Sequence, residues 1–194
     1  MSYTFANVTK DEVFPDVIDA FDPTARLRAV FPTHQQEVDF GDEIPVPYAQ
    51  EEPEIFVNLL VADPSAEYTL VVTDPDAPSR TDKTYSEFAH CLITDLKLDA
   101  NKVGDWQKLD LSKGRAILPY FGPAPPANTG LHRYVFLLFK KTEPELVVNG
   151  PANDTVEGRC NWGYGRPGAG VRDWLKDTLL EPVAINFFNA QVKN

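Results

Sequence analysis

Cysteine and histidine are scarce in this chain, and it has neither a long apolar run nor a cluster of basic residues. The two cysteines, Cys91 and Cys160, are too few for a secreted disulfide framework and lack metal-ligand spacing, so both are expected to be free, buried thiols. No apolar stretch approaches the ~20 residues of a membrane span, and the N-terminal MSYTFANVTKDEVF has no basic segment leading into an apolar one. The expected location is therefore cytoplasmic. Eighteen basic residues stand against 29 acidic ones, a formal charge of -11 with no basic run longer than Lys140-Lys141, which makes nucleic acid a poor partner. The same charge disfavours adsorption to anionic lipid surfaces, so any lipid contact is expected to involve a headgroup held in a cavity.

What is present is enough to fold. Hydrophobic residues make up 43% of the chain, with twelve Phe, seven Tyr and three Trp, an apolar content that offsets chain entropy without disulfides or metals. No repeat or low-complexity linker divides the 194 residues, which suggests one domain.

Along the chain, Val8-Thr9-Lys10-Asp11-Glu12-Val13 reads as a helix start, with Thr9 capping, Glu12 closing the box, and Val8 and Val13 forming a hydrophobic staple. Pro15 keeps that helix short or kinked. The Pro-rich, acidic stretch 22–54 carries short extended pieces at Arg26 to Phe31 and Glu37 to Phe40. Stronger strand signals follow at Glu67 to Thr73, Glu87 to Thr94 and His132 to Lys140, all rich in β-branched or aromatic residues. The last two are apolar on both faces and are expected to be central strands. Between them, Pro119-Tyr120-Phe121-Gly122-Pro123-Ala124-Pro125-Pro126 predicts a stiff surface loop. Val171, Trp174, Leu175, Thr178 and Leu179 recur at helical spacing after a glycine-rich stretch, and a strand pattern returns over Val183 to Val192.

Two of the three histidines lie in strands, which makes their faces informative. Alternation places Phe88, His90 and Leu92 on one face and His132, Tyr134 and Phe136 on one face of the later strand. A lone strand histidine is commonly a core residue bonded to backbone. Here a third group, Asp74, ends an apolar strand and opens the turn Asp74-Pro75-Asp76-Ala77-Pro78-Ser79-Arg80, where prolines forbid helix. Asp76 and Arg80 are expected to brace that turn as a local ion pair. A carboxylate, two imidazoles, aromatic rings and a Pro-rich rim suit a small zwitterion or phosphate monoester, with protonated imidazoles donating to the anion.

DPDAPSR at 74–80, then FAHCLI, then PYFGPAPPANTGLHRY at 119–134 strongly resemble the two signature blocks of the phosphatidylethanolamine-binding proteins, in the right order and with their histidines in register. Weaker agreement extends over most of the chain, and the C-terminal part is similar to fungal members, which include an inhibitor of a serine carboxypeptidase. The resemblance implies a mostly β fold, a large antiparallel sheet packed on a smaller one with a few peripheral helices. It carries Asp74, Pro78, His90, Gly122, Pro126, His132 and Tyr134 onto the family's pocket, where Phe88 stands in place of a tryptophan common in animal relatives and Ala89 in place of a histidine. It also implies a cis Ala77-Pro78 bond. The expected ligand is phosphate or a phosphoethanolamine-like headgroup, with no cofactor and no metal, and the expected protein partner is a serine carboxypeptidase or a kinase.

Two enzymatic alternatives compete with that binding role. A hydrolase built on Ser79, a histidine and Asp74 lacks a glycine-framed nucleophile elbow and a recognisable oxyanion hole. A zinc site of His90, His132 and Asp74 has the right ligand types but no short-spaced pair.

Overall fold

A computed structural model describes residues 6–143, 146–151 and 153–193. Its architecture is mostly β. The smaller sheet holds β1 (Ala25–Phe31), β2 (Gln36–Glu37), β3 (Glu54–Leu59) and β6 (Trp106–Leu109); the larger holds β4 (Tyr68–Asp74), β5 (Phe88–Leu96), β7 (Arg115–Leu118), β8 (His132–Lys141) and β9 (Leu180–Ala190). Spatial orders are β2-β1-β3-β6 and β7-β5-β4-β8-β9, and every pair within them is antiparallel. The expected central strands β5 and β8 flank β4 in the middle of the larger sheet, and β4 is buried along its whole length.

Alternation along β4 and β8 feeds two apolar layers, because successive side chains leave opposite faces of a strand. One face sends Leu70, Val72, Phe136 and Leu138 against Leu27, Ala29, Ile55 and Val57 of the smaller sheet. The other sends Val71, Val135, Leu137 and Phe139 beneath a cover from both chain ends. That cover includes α1 (Ala6–Lys10), α2 (Val13–Asp16), Trp162, and Val171 and Trp174 of α4 (Val171–Lys176). A sheet covered on both faces needs strands apolar on both faces, which is why these strands lack polar alternation.

Several local expectations differ. The capping box does not form: Thr9 lies inside α1, which ends at Lys10, and Glu12 adopts a left-handed conformation at φ 58. That turn lets Val8 and Val13 both reach the same apolar layer, so burial of two side chains outweighs one cap. The extended piece at 37–40 shrinks to Gln36–Glu37, because Phe40 turns at φ 35 and donates its N–H to Asn186 Oδ1 at 3.0 Å. The C-terminal helix stops at Lys176, leaving Leu179 exposed.

A candidate ligand cavity at one end of the larger sheet

The end of β4 and the starts of β5 and β8 meet at one end of the larger sheet, with Asp74 paired to Phe88 and Thr73 to Val135. Residues from these strand ends and the neighbouring loops line a cavity of about 550 Å³. Asp74, Pro78, Phe88, His90, Pro126, His132 and Tyr134 all reach its wall. Gly122 does not. It sits behind the wall, where a Cβ would come within 2.9 Å of Gln50 Cα, so its role is to let the proline-rich loop approach the 46–50 segment. Gln50 Nε2 donates to Pro123 O at 2.9 Å and the Tyr120 hydroxyl donates to Ala49 O at 2.9 Å, completing that attachment.

The histidine face on β5 also differs from simple alternation. Val72 pairs with Cys91 and Thr73 with Ala89, so His90 is the extra residue of a β-bulge. A bulge re-aims a side chain. Leu92 consequently packs in the helix-side layer, whereas Cys91 and Ile93 pack between the sheets, the side on which Tyr134 packs.

His132 donates from Nδ1 to Asp74 Oδ2 at 2.8 Å, and the other carboxylate oxygen accepts the N–H of Asp76 at 2.6 Å. Thr129 Oγ1 lies 3.0 Å from His132 Nε2 and 2.7 Å from the Pro126 carbonyl. Carboxylate, imidazole and hydroxyl therefore stand in a line. The Thr129 hydroxyl is tied to its own loop and is absent from the cavity wall, so it fixes the ring instead of facing a substrate. Ser79 lies outside the cavity as well, with Thr81 Oγ1 at 3.3 Å and the Asp82 N–H donating to it.

His90 is bonded to backbone and lines the cavity at once. Its Nδ1 donates to the Phe121 carbonyl at 2.6 Å, and its ring lies 4.9 Å from that of Phe88 and 5.1 Å from that of Tyr134. Burial pushes this imidazole down to about 4, despite the opposing effect of Asp74. Near neutral pH His90 is uncharged, which corrects the expectation of two protonated imidazoles. Burial, then the negative charge of Asp74, also raises the Tyr134 phenol, so it stays a hydrogen-bond donor.

Two buried arginines hold this arrangement, and neither carries a local signal. Arg133 follows His132 and faces away from the cavity. Its backbone N–H and Nε donate to Asp76 Oδ2 at 3.0 and 2.8 Å, and Nη2 donates to Asp76 Oδ1 at 2.7 Å. Burial disfavours charge on Asp76, but Arg133 and Lys83 outweigh it and hold the carboxyl below its usual range. The expected Asp76–Arg80 pair is the long one, at 3.8 Å, so Asp76 ties the turn to β8 more than to itself. The Ala77-Pro78 bond within this turn is cis.

Arg159 ends the short helix α3 (Val156–Arg159), which Thr155 caps by accepting the Gly158 N–H at 3.0 Å. Its guanidinium donates to the carbonyls of Ala89, His90 and Pro119 at 2.8, 3.0 and 2.8 Å and lies 5.4 Å from the Phe121 ring centre. The bulge and the proline-rich loop are thereby clamped together. Cys160, next along, is half-buried on the cavity wall beside Glu157, whereas Cys91 is the buried free thiol. Among the described residues no group of three His, Cys, Asp or Glu has metal-site geometry.

The family profile of the phosphatidylethanolamine-binding proteins matches residues 34–188. The chain belongs to the phosphatidylethanolamine-binding protein family. It is 34% identical to the carboxypeptidase Y inhibitor of Saccharomyces cerevisiae, across 95% of this chain and 93% of that one. Among solved structures it resembles a carboxypeptidase Y inhibitor complexed with its cognate proteinase, with a TM-score of 0.82 at 32% identity over 96% of this chain and 94% of that one. The family member from Plasmodium vivax shares the fold, with a TM-score of 0.71 at 20% identity over 98% of both chains. No described helix is long and apolar enough to cross a membrane.

Proposed function

We propose that this protein is a non-catalytic binding protein whose cavity takes the phosphate group of a small anionic or zwitterionic ligand, such as phosphate or phosphoethanolamine, and which inhibits a serine carboxypeptidase. The observation that carries the reading is the convergence of Asp74, His90 and His132 on one cavity whose wall includes neither the Ser79 nor the Thr129 hydroxyl. The Tyr134 phenol suits a phosphate oxygen, and Asp74 suits an ammonium group. The aromatic walls suit the apolar part of such a ligand.

The hydrolase alternative has one favourable feature, the line from Asp74 through His132 to Thr129. A triad works only when the hydroxyl faces the substrate and an oxyanion hole receives the developing charge. Thr129 faces Pro126 of its own loop instead.

Likeness to a carboxypeptidase inhibitor along nearly the whole chain supports the inhibitory half of the proposal. Purified protein titrated into a serine carboxypeptidase assay is expected to give inhibition that saturates at a defined stoichiometry, with the inhibitor left uncleaved. No inhibition at micromolar concentration removes that target. Phosphoethanolamine titrated calorimetrically into the wild-type protein and into Asp74→Asn tests the cavity separately.

A further inference from the structure

An anion site ordinarily presents cations, and this cavity presents lone pairs. Among the described residues lining it there is neither lysine nor arginine, while Asp74 and Glu157 are both on the wall. Both Asp74 oxygens already accept hydrogen bonds.

His90 completes the pattern. A carbonyl oxygen has no hydrogen to give, so the contact with Phe121 O makes Nδ1 the N–H nitrogen and leaves Nε2 as an acceptor. Among the described residues Nε2 has no protein partner, and it is not one of the atoms sealed from solvent without one. The residue as a whole is only 3% exposed. The charged and titratable groups around it are Asp74 from β4, Tyr85 from the loop before β5, His132 and Tyr134 from β8, and Arg159, Glu157 and Cys160 from α3 and the residue after it. Burial dominates among these influences and keeps the ring neutral near pH 7.

Resting on the reading of the cavity as a phosphate-group site, we infer that it selects an oxyanion that brings its own proton, a singly protonated phosphomonoester, and rejects a sulfate ester of the same shape. The P–O–H hydrogen is donated to His90 Nε2, and the unprotonated oxygens are left for the Tyr134 hydroxyl and water. A bare oxygen facing Nε2 sets two lone pairs against each other in a site walled by Phe88, Phe121 and Tyr134, where unmatched polar groups are costly. A sulfate monoester carries no proton near neutral pH and meets that clash at every pH of interest.

Calorimetric titration with methyl phosphate and methyl sulfate tests this, since neither carries an amine that could fill the acceptor instead. At about pH 5.5 methyl phosphate is mostly singly protonated, and it is expected to bind about 10- to 100-fold more tightly than methyl sulfate, the range of one unmatched buried hydrogen bond. Above pH ~6 its affinity is expected to fall roughly tenfold per pH unit, following the second ionisation of the ester. His90→Gln places an amide N–H near the position of Nε2 and is expected to narrow the preference, with folding verified by circular dichroism. Equal binding of the two esters overturns the inference and leaves the anion site standing. A parallel fall of both affinities with pH assigns the titration to the protein and also overturns it. Binding of neither ester removes the inference and the phosphate-site reading together.

Discussion

Arg159 donates to the carbonyl of His90 at 3.0 Å while the His90 ring donates to the carbonyl of Phe121 at 2.6 Å, beneath the same guanidinium. The bulge that aims His90 and the loop that sets its tautomer thus share one cation.

Replacing Arg159 by lysine keeps the charge but puts all donors on one nitrogen, which cannot reach the Ala89, His90 and Pro119 carbonyls together. Loss of stability of about 1–3 kcal/mol in urea denaturation is expected, from buried carbonyls left unmatched. Ligand affinity is expected to fall as well, and the His90 nitrogen NMR signals to lose their single-tautomer pattern. A folded variant with wild-type affinity and unchanged signals would show that Arg159 does not position His90.

The Arg133–Asp76 pair is buried on both sides. Asp76→Asn leaves the buried Arg133 with only the more exposed Asp16, and Arg133→Met leaves the buried Asp76 with Lys83 and Arg80, so a cost of up to about 3–5 kcal/mol is expected. The double variant Asp76→Asn/Arg133→Met is expected to lose less than the sum of the singles, because the partners are coupled. Chemical denaturation of all four proteins measures the coupling, and simple additivity would refute it.

Stability is expected to respond to pH through two buried groups of opposite sign. Glu87 is 3% exposed, lies 3.0 Å from Thr73 Oγ1, and abuts Gly170, where a Cβ would come within 2.2 Å of its Oε1. Burial pushes its carboxyl up from 4.5 to about 8. The fold therefore retains a proton that the unfolded chain releases, and stability falls as pH rises from 4.5 to about 8. His90 works the other way. Its folded value of about 4 lies below 6.5, so stability is lost as pH falls from 6.5 to about 4. The two windows overlap between 4.5 and 6.5, where the opposite slopes offset each other. Glu87→Gln is therefore expected to flatten the alkaline decline of the melting temperature, from 6.5 to about 8, and to steepen the acid one below 6.5. An unchanged alkaline slope would count against a protonated Glu87.

The purified protein is expected to show no turnover of ester or phosphoester substrates, because Ser79 and Thr129 are both off the cavity wall. Thr129→Val removes the hydroxyl beside His132 Nε2 and is expected to cost about 1 kcal/mol of stability. Turnover that disappears in Ser79→Ala or Thr129→Val would overturn the non-enzymatic reading.

Much of the cavity is legible in the sequence because its walls are made by strongly local signals. Prolines at 75 and 78 force a turn after an apolar strand, prolines from 119 to 126 force a loop, and scarcity makes His90 and His132 stand out. Strand ends that carry these residues meet at one end of the sheet, so Asp74, His90 and His132 converge as the pattern and the family resemblance imply.

The supports were not legible. Arg133 and Asp76 are 57 residues apart, and Arg159 reaches the Ala89 carbonyl across 70, so no window of sequence contains either contact. Strict alternation puts Leu92 beside His90, but the bulge moves Leu92 to the opposite layer, and a bulge depends on the pairing of β5 with β4. The charge of His90 was decided in the same way: the imidazole is neutral because tertiary packing removes water from it. Sequence by itself determined β1, the long strands β4, β5, β8 and β9, the proline-bound turns and the identity of the polar groups, since these follow from side-chain shape and backbone restriction within a few residues, whereas the short β3, β6 and β7 carry too little local pattern. Only the tertiary structure decided register, burial and protonation, because each depends on the neighbours that the folded sheet brings against a side chain.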